Sequence, residues 1–197
     1  MRSLVLFTLV ACGLERNMET PVDLAFLEAE RARANTPTPP KGEGPLIINE
    51  VAPNDPEYVE IMNRSDSIFS LAGYQLCDSK DGESPDLTDG LLFPFDLQLE
   101  PGERLLVHSG QDLVASGTWM SPCPVVETTR CLSAEWSLSA SRGEPVFLVN
   151  ADEDIVDWAK PPANVLNATR AWARIPDGSG GFELSNRSPG SNNTESP

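Results

Sequence analysis

The sequence predicts an all-β fold in which short antiparallel strands form a sandwich. Short apolar runs alternate with turn residues along most of the chain, which has 18 prolines and 14 glycines among its 197 residues. This pattern is typical of a β domain with many turns. From residue 46 onward, about eight or nine such runs follow one another at hairpin-like spacing with no intervening helical pattern. The length suits one domain of about 100 to 150 residues with extensions.

The clearest strand lies at residues 58–62. Val59 and Ile61 alternate with Glu60 and Met62, which is the period-two pattern of a strand with one buried face and one exposed face. Polar residues 63–66 then favour a corner. Further strands are predicted at 46–51, 73–78, 91–95, 97–99, 104–108, 145–149, 155–159 and, as the last one, 170–175.

The first residues have the features of an export signal. Arg2 precedes an apolar run over residues 4–11, much shorter than the about 20 residues that span a bilayer. Residues 9–12, LVAC, look like the lipobox of bacterial lipoprotein signal peptides. That resemblance implies cleavage of residues 1–11 and lipid attachment at Cys12, with palmitate among the acyl chains that would hold the protein on a membrane. The other interpretation is an ordinary core strand.

Residues 12–45 are predicted to form a stalk. At 20–34 a short helix is expected, because Thr20 can cap it. Residues 35–45 are proline-rich, which favours an extended linker. The sandwich domain is then expected to cover residues 46–190, and residues 191–197 to be a disordered tail.

The cysteines indicate one disulfide. Export would place them in an oxidising compartment, and with Cys12 lipidated an odd number remains. Cys123 and Cys131 flank one short loop and are the predicted pair; closing about nine residues would stabilise the fold by about 2.6 kcal/mol. Cys77 is out of phase with Leu76, so we expect its side chain to face outward, either free or paired elsewhere.

The net charge of −16 argues against nucleic-acid binding, which depends on cations that displace counterions from phosphates. An anionic lipid surface is disfavoured for the same reason.

Short motifs follow one another along residues 48–192. They are INEV at 48–51, EYVEIMN at 57–63, LAGYQL at 71–76, LEPGE at 99–103, LSASRGE at 138–144, FLV at 147–149, IVD at 155–157, RIPDG at 174–178 and SPGSN at 188–192. In this order they resemble the lamin tail domain family. The departures are Tyr74 where tryptophan is usual, Ser188 in place of threonine, and a long irregular insertion at 111–136.

The resemblance implies an immunoglobulin-like β-sandwich whose motifs serve packing and turns. Lamin tails act in protein and chromatin contacts, and bacterial members of the family occur on secreted and surface proteins, so a binding or structural role is implied. Fold alone does not specify function. The expected core residues are Val59, Ile61, Tyr74, Leu76, Leu105, Val107, Phe147 and Val149.

Catalysis finds little support in the sequence. The single histidine, His108, would have to be the base of any Ser/His/Asp arrangement, as in a small envelope hydrolase or a hydrolase accessory subunit. A strand-end side chain facing solvent is the favoured interpretation. We therefore expect no enzyme and no cofactor.

Calcium is the ligand that the oxygen-bearing side chains suit best, because it prefers carboxylate and amide oxygens. The candidate ligands are Asp78, Asp81, Asp86 and Asp89 in one loop, and Asn150, Asp152 and Asp154 in a hairpin. Neither group has EF-hand spacing, and solvated acidic loops are commoner.

Tryptophans that bracket the insertion are the best candidates for a contact surface. We expect Trp119 and Trp136 to be exposed, and Trp158 and Trp172 to be core or edge packing. Replacing the insertion by a short turn is expected to leave the fold intact and to abolish partner capture. The sequence thus predicts a lipid-anchored module on the outer membrane or cell surface that contacts an envelope or extracellular protein, or a glycan.

Overall fold

The computed structural model describes residues 42–109 and 115–195, and these contain twelve β-strands and no helix. The predicted all-β class is confirmed. The predictions for Cys12, for the helix at 20–34 and for most of the linker concern residues outside the described ranges. Within the described ranges, no helix is long and apolar enough to cross a membrane. The strands are β1 (Leu46–Ala52), β2 (Tyr58–Asn63), β3 (Phe69–Ser70), β4 (Gln75–Cys77), β5 (Leu91–Leu92), β6 (Gln98–Leu99), β7 (Arg104–Ser109), β8 (Arg130–Ala134), β9 (Val146–Val149), β10 (Ile155–Ala159), β11 (Arg170–Ile175) and β12 (Gly181–Asn186).

The strands form an immunoglobulin-like sandwich of two main sheets. One sheet has six strands in the order β12-β11-β1-β2-β7-β8, and the other has four in the order β10-β9-β4-β5. Strands β3 and β6 form a small third pair. All pairings are antiparallel except β7 with β8, which run parallel. A parallel pair needs a long connection, and the insertion between β7 and β8 supplies it.

The main core lies between the two large sheets. β-Branched and aliphatic side chains point inward from β1, β2 and β7, as their period-two pattern predicts. Val59, Ile61, Leu105 and Val107 are fully buried, and Leu76 meets them from β4. The prediction of these five residues as core is confirmed.

The outer face of the six-stranded sheet is also covered, which the sequence pattern did not predict. Glu60, expected to face solvent, is completely buried. The covering comes partly from the segment that follows β12, an edge strand of this sheet that was missed in the sequence. Asn193 is only 6% exposed and donates to the carbonyl of Asn49 on β1. The expectation of a disordered tail from residue 191 is therefore wrong for residues 191–195.

The four-stranded sheet also buries part of its outer face. Phe147 and Val149 are buried as predicted, but they form a separate cluster with Cys77. Cys77 was expected to face outward; it does, yet it is fully buried because the loop between β4 and β5 covers it. A Cβ built on Gly90 of that loop would lie 2.6 Å from Cys77 Sγ. Tyr74 is only partly buried against the main core.

A buried ion pair ties the two main sheets together. The Arg174 guanidinium on β11 donates to both oxygens of Asp157 on β10, at 2.9 and 3.0 Å. Asp157 also accepts the backbone N–H of Ile48 on β1 at 2.7 Å. Burial raises the pKa of Asp157, and the charge of Arg174 and the donors from Arg174 and Ile48 act in the opposite direction.

Candidate functional site

Residues 117–120 of the insertion run as an additional edge segment along β8. The amide of Gly117 donates to the carbonyl of Ser133 at 2.8 Å, and the amide of Met120 donates to that of Cys131 at 2.9 Å. This pairing places Trp119 directly opposite Leu132, whose side chain lies in the main core. Residues opposite each other in a ladder share a face. Trp119 therefore stands at the rim of the sandwich on a backbone held by hydrogen bonds.

Trp119 lines a cleft of about 460 Å³. Its side chain is 45% exposed, as predicted, and the Arg130 guanidinium lies 4.9 Å from its ring centroid. Arg130 also donates to Glu103 at 3.1 Å and to the carbonyl of Gln98 at 2.8 Å. The indole is thus oriented by a cation that is itself held at two further points. The other lining residues are Asp96, Leu97, Met120, Ser121, Cys123, Glu127, Thr128, Thr129 and Cys131.

The second part of the insertion folds back over the outer face of the six-stranded sheet. The predicted disulfide between Cys123 and Cys131 is confirmed, with Cα atoms 5.5 Å apart. The disulfide belongs to a second apolar cluster with Ala52, Tyr58, Leu106 and Ala171, against which Met120, Val125 and Val126 pack. The insertion also contributes β8 itself. The expectation that a short turn could replace residues 111–136 without harm to the fold is therefore wrong.

Beside this apolar cluster, the outer face carries a buried polar network. Burial raises the pKa of Glu60 to about 8, against the opposing effect of donors from Asn49 and the amide of Gly190, both at 2.8 Å. Burial likewise raises the pKa of Glu50, which accepts from Tyr58 at 2.6 Å.

The same network holds residues after β12 on the sheet. Ser188 donates to Glu50 through both its amide and its hydroxyl, each at 3.0 Å. Asp177 accepts from Asn49, from the amide of Asn193 and, at 2.5 Å, from Arg104. The network thus joins residues of INEV, EYVEIMN, RIPDG and SPGSN, motifs for which the sequence suggested only packing and turns.

Comparison with known families agrees with these motifs. A family model described as Lamin Tail Domain matches residues 39–162, which is more than half of the chain. This chain belongs to the lamin tail domain family. A search of curated proteins returned no match. Lamin tail domains are immunoglobulin-like modules that are generally not enzymes, and this fits a non-catalytic binding or structural role.

The second predicted contact residue of this lamin tail domain is Trp136, and the prediction that its side chain is exposed is wrong. Trp136 is only 4% exposed and belongs to the main core. The reason is its spacing from β8: side chains alternate along a strand, and Trp136 follows Leu132 and Ala134, which both face the core, at intervals of two residues. Its Nε1 is buried without a hydrogen-bond partner in the described part of the chain. Trp119 alone of this pair can contact a partner.

Trp158 and Trp172 pack as the sequence suggested, without being fully buried. Trp158 on β10, an edge strand, is 42% exposed and stacks on Phe147 with ring centroids 6.3 Å apart. Trp172 on β11 stacks on Phe182 at 6.5 Å.

His108 of the lamin tail domain lies on β7 and is only 8% exposed, so the expectation of a solvent-facing side chain is wrong. Burial lowers its pKa, and its Nδ1 has no hydrogen-bond partner among the described residues. The neighbouring hydroxyl of Ser109 donates instead to Glu57, at 2.6 Å. Glu57 also accepts the amide of Leu138 at 2.6 Å, which makes it a structural tie between β7 and the segment before β9. Among the described residues, the Ser109 hydroxyl is therefore bonded to Glu57 rather than to His108.

The proposed calcium ligands mostly serve their own loops. Hydrogen bonds from residues 83–84 lower the pKa of Asp81 to about 2, and donors from Thr88 lower that of Asp86. The side-chain oxygen of Asn150 accepts the amides of Asp152 and Asp154, both at 2.9 Å.

Asp78 differs from these exposed acids, because burial and the charge of Glu144 raise its pKa to about 6. Asp89 adds a smaller effect of the same sign. Within residues 42–109 and 115–195, no three acidic, histidine or cysteine side chains are grouped as metal ligands. Calcium binding gains no ligand set from this geometry and stays a prediction.

Sequence reasoning missed most of the cleft. Asp96 and Leu97 form one wall, although they follow β5 and are far from the insertion in sequence. Glu127 and Arg130 lie within the insertion, but nothing in their spacing marks them as lining residues. The one available signal was the tryptophan at residue 119.

Proposed function

We propose that this chain is the non-catalytic recognition module of a bacterial envelope lipoprotein. A lipid anchor at Cys12 would hold it on the outer membrane or cell surface, and the cleft beside Trp119 would contact an envelope or extracellular protein, or a glycan. The observation that supports contact at this place is the exposed indole of Trp119, fixed by the β8 ladder and by Arg130. Aromatic and arginine side chains held rigidly at a surface are frequent binding hot spots.

The family supports the non-catalytic part of this proposal. Among the described residues, the hydroxyl of Ser109, next to His108, donates to Glu57 and not to the imidazole. The carboxylates of the buried network likewise accept hydrogen bonds from donors of the protein itself. Nucleic acid is not the expected partner, because the chain carries a net charge of −16.

The anchor is tested by expressing wild type and Cys12→Ala in a bacterial host. We expect the wild type to partition with membranes and to carry an acylated Cys12, and the variant to be soluble. Cys77→Ser is the control and should partition as the wild type does. Retention of Met1 with a soluble wild type would end the lipoprotein proposal.

The contact surface is tested by comparing two tryptophans of similar exposure. Trp119→Ala and Trp158→Ala each remove one indole, 45% and 42% exposed respectively, from different edges of the sandwich. We expect Trp119→Ala alone to abolish the capture of envelope components by the full-length chain. Unchanged capture by a folded Trp119→Ala protein would disprove the proposed surface.

A further inference from the structure

Large apolar side chains are exposed on the segment that leads to the cleft-lining residues Asp96 and Leu97. Phe95 is 89% exposed and Leu92 is 58% exposed. The two residues that follow Phe95 line the cleft. A Cβ built on Gly117 would lie 3.7 Å from the carbonyl oxygen of Leu92, so the insertion and this segment are in contact. Phe95 and Leu92 thus lie on the chain segment next to the cleft, although they do not line it, and exposed apolar groups of this size are typical of a surface that binds protein.

The cleft also carries negative charge that the fold leaves unpaired. Asp96 and Glu127 are exposed lining residues, and neither forms an ion pair within the described ranges. The cationic lining residue Arg130 is paired with Glu103, at 3.1 Å, and forms no ion pair with either of them in the part of the chain that the structure describes. The indole of Trp119 already accepts one guanidinium against its ring. Carboxylates without an ion pair beside an exposed indole can bind lysine and arginine. The alkyl part of these side chains packs on apolar surface while the charged end pairs with a carboxylate.

The shape of the surface favours an extended ligand. A second groove of about 260 Å³ shares Thr128, Thr129 and Arg130 with the cleft and continues to Gly102 and Gly190. A chain in extended conformation advances about 3.3 Å per residue and presents alternate side chains to one face. Several consecutive residues of a partner could therefore occupy both grooves.

We propose that the cleft beside Trp119 binds an extended, cationic segment of a partner protein, in which the side chains at positions i, i+2 and i+4 include both lysine or arginine and large apolar residues, so that both kinds face the cleft. The cationic heads pair with Asp96 and Glu127, and the apolar side chains cover Trp119 and Phe95. This inference rests on the proposed function and specifies the class of its partner. Exposed Leu92 favours this ligand over a glycan, because sugars stack on aromatic rings and gain little from an aliphatic side chain.

The test is a calorimetric titration of the full-length chain with an extended synthetic peptide that carries lysine, leucine and phenylalanine at alternate positions, which share one face, and serine or threonine at the positions between them. A glutamate analogue of the peptide and neutral oligosaccharides of glucose and N-acetylglucosamine are titrated in parallel. We expect the lysine peptide alone to bind, and Trp119→Ala to weaken it about tenfold or more. Trp158→Ala has the same net charge and should bind as the wild type does.

A matched pair of charge variants separates this site from general attraction to an acidic protein. Asp96→Asn with Glu127→Gln removes two charges at the cleft, and Asp152→Asn with Asp154→Asn removes two exposed charges in the β9–β10 hairpin. We expect a loss of affinity for the first pair only. An equal loss for both pairs, or no binding of the lysine peptide by the wild type, would overturn the inference. Oligosaccharide binding that depends on Trp119 would also overturn it but would leave the proposed contact surface standing.

Discussion

Gly190 lies directly against Thr129, so that a Cβ at position 190 would come within 2.2 Å of Thr129 Oγ1. This contact joins the two segments that cover the outer face of the six-stranded sheet: the residues after β12 and the insertion with its disulfide. The amide of Gly190 also donates to Glu60 at 2.8 Å. The backbone at Gly190 thus brings the two covering segments into contact and donates a hydrogen bond to the buried carboxyl group of Glu60.

Gly190→Ala is expected to destabilise the protein for two reasons. The methyl group would meet Thr129, and φ at residue 190 is +73°, a conformation that costs an L-residue about 1 to 2 kcal/mol. Gly102→Ala is the matched control, because φ there is +74° and a Cβ would meet nothing within 4 Å. We expect a larger loss in the free energy of unfolding, measured with urea, for residue 190 than for residue 102.

The double variant Gly190→Ala with Thr129→Ala isolates the contact. Removing Oγ1 should recover the steric part of the loss and leave the backbone part. Equal destabilisation in Gly190→Ala and Gly102→Ala would show that residues 190 and 129 do not touch.

Asn193→Ala is expected to reduce the free energy of unfolding by about 1 to 3 kcal/mol, because it leaves buried acceptors without a donor. The Asn193 side chain donates to the carbonyls of Asn49 and Arg174, at 3.1 and 3.3 Å. Thr194→Ala, at an exposed neighbouring position, should have little effect. Urea unfolding monitored by fluorescence compares the two; similar small effects would restore the interpretation of this segment as a tail.

Loss of the disulfide through Cys123→Ala is expected to reduce the free energy of unfolding by about 2.6 kcal/mol on the chain-entropy estimate. Since the bridge also holds the second apolar cluster over Tyr58 and Leu106, the loss should not be smaller than this. Thermal unfolding with and without reductant measures it. Reductant should lower the melting temperature of the wild type and leave that of Cys123→Ala unchanged.

Cys77 is expected to resist alkylation in the folded protein. Its side chain is fully buried, and burial raises its pKa to about 12, so almost no thiolate is present near neutral pH. Mass spectrometry after iodoacetamide treatment of the Cys12→Ala protein provides the measurement. We expect no adduct under native conditions and one adduct in denaturant without reductant; rapid native alkylation would contradict the burial of Cys77.

The stability of the protein is expected to fall as pH rises from about 4.5 to 8. Burial raises the pKa of Glu60 from 4.5 to about 8, so the folded state binds this proton more tightly than the unfolded state does. The resulting stabilisation is complete below the unfolded pKa and is lost as pH rises through the folded pKa.

Urea midpoints across this pH range, for wild type and Glu60→Gln, test the expectation. The variant should lose less stability over the interval, whatever its absolute midpoint, because glutamine does not ionise. Glu183→Gln, at an exposed position on β12, should keep the slope of the wild type. Parallel slopes for wild type and Glu60→Gln would assign the pH dependence to other groups.

The inner faces of the strands were predictable because alternation is a local property. The spacing of Val59 and Ile61 indicates one buried face of their strand. The turn residues between such apolar runs mark where one strand ends and the next begins. Cys123 and Cys131 were predictable for a similar reason, since only a short loop separates them. The order of the motifs was enough to recognise the family.

The outer faces were not predictable, because what covers them comes from far along the chain. Glu60 has the spacing of an exposed residue, but the amide of Gly190, 130 residues later in the chain, donates to it from the segment that covers it. Trp136 was misjudged because local spacing does not show how far β8 continues its alternation. The burial of Cys77, which faces outward as predicted, could not be foreseen because spacing does not reveal what covers a side chain. Asp96 meets Trp119 in the cleft only because β5 and the insertion lie at neighbouring edges.

The sequence by itself determined the all-β class, the inner core, the disulfide and the family, since each rests on short-range spacing or on the order of motifs. The tertiary structure alone decided that strands β1, β2 and β7 of the six-stranded sheet are buried on both faces, that Trp119 rather than Trp136 reaches the surface, and which residues form the cleft. The physical reason is that burial depends on long-range contacts. The hydrophobic pattern along the chain indicates which faces of the strands can be buried. Only the folded structure shows which distant segments lie on those faces and bury them.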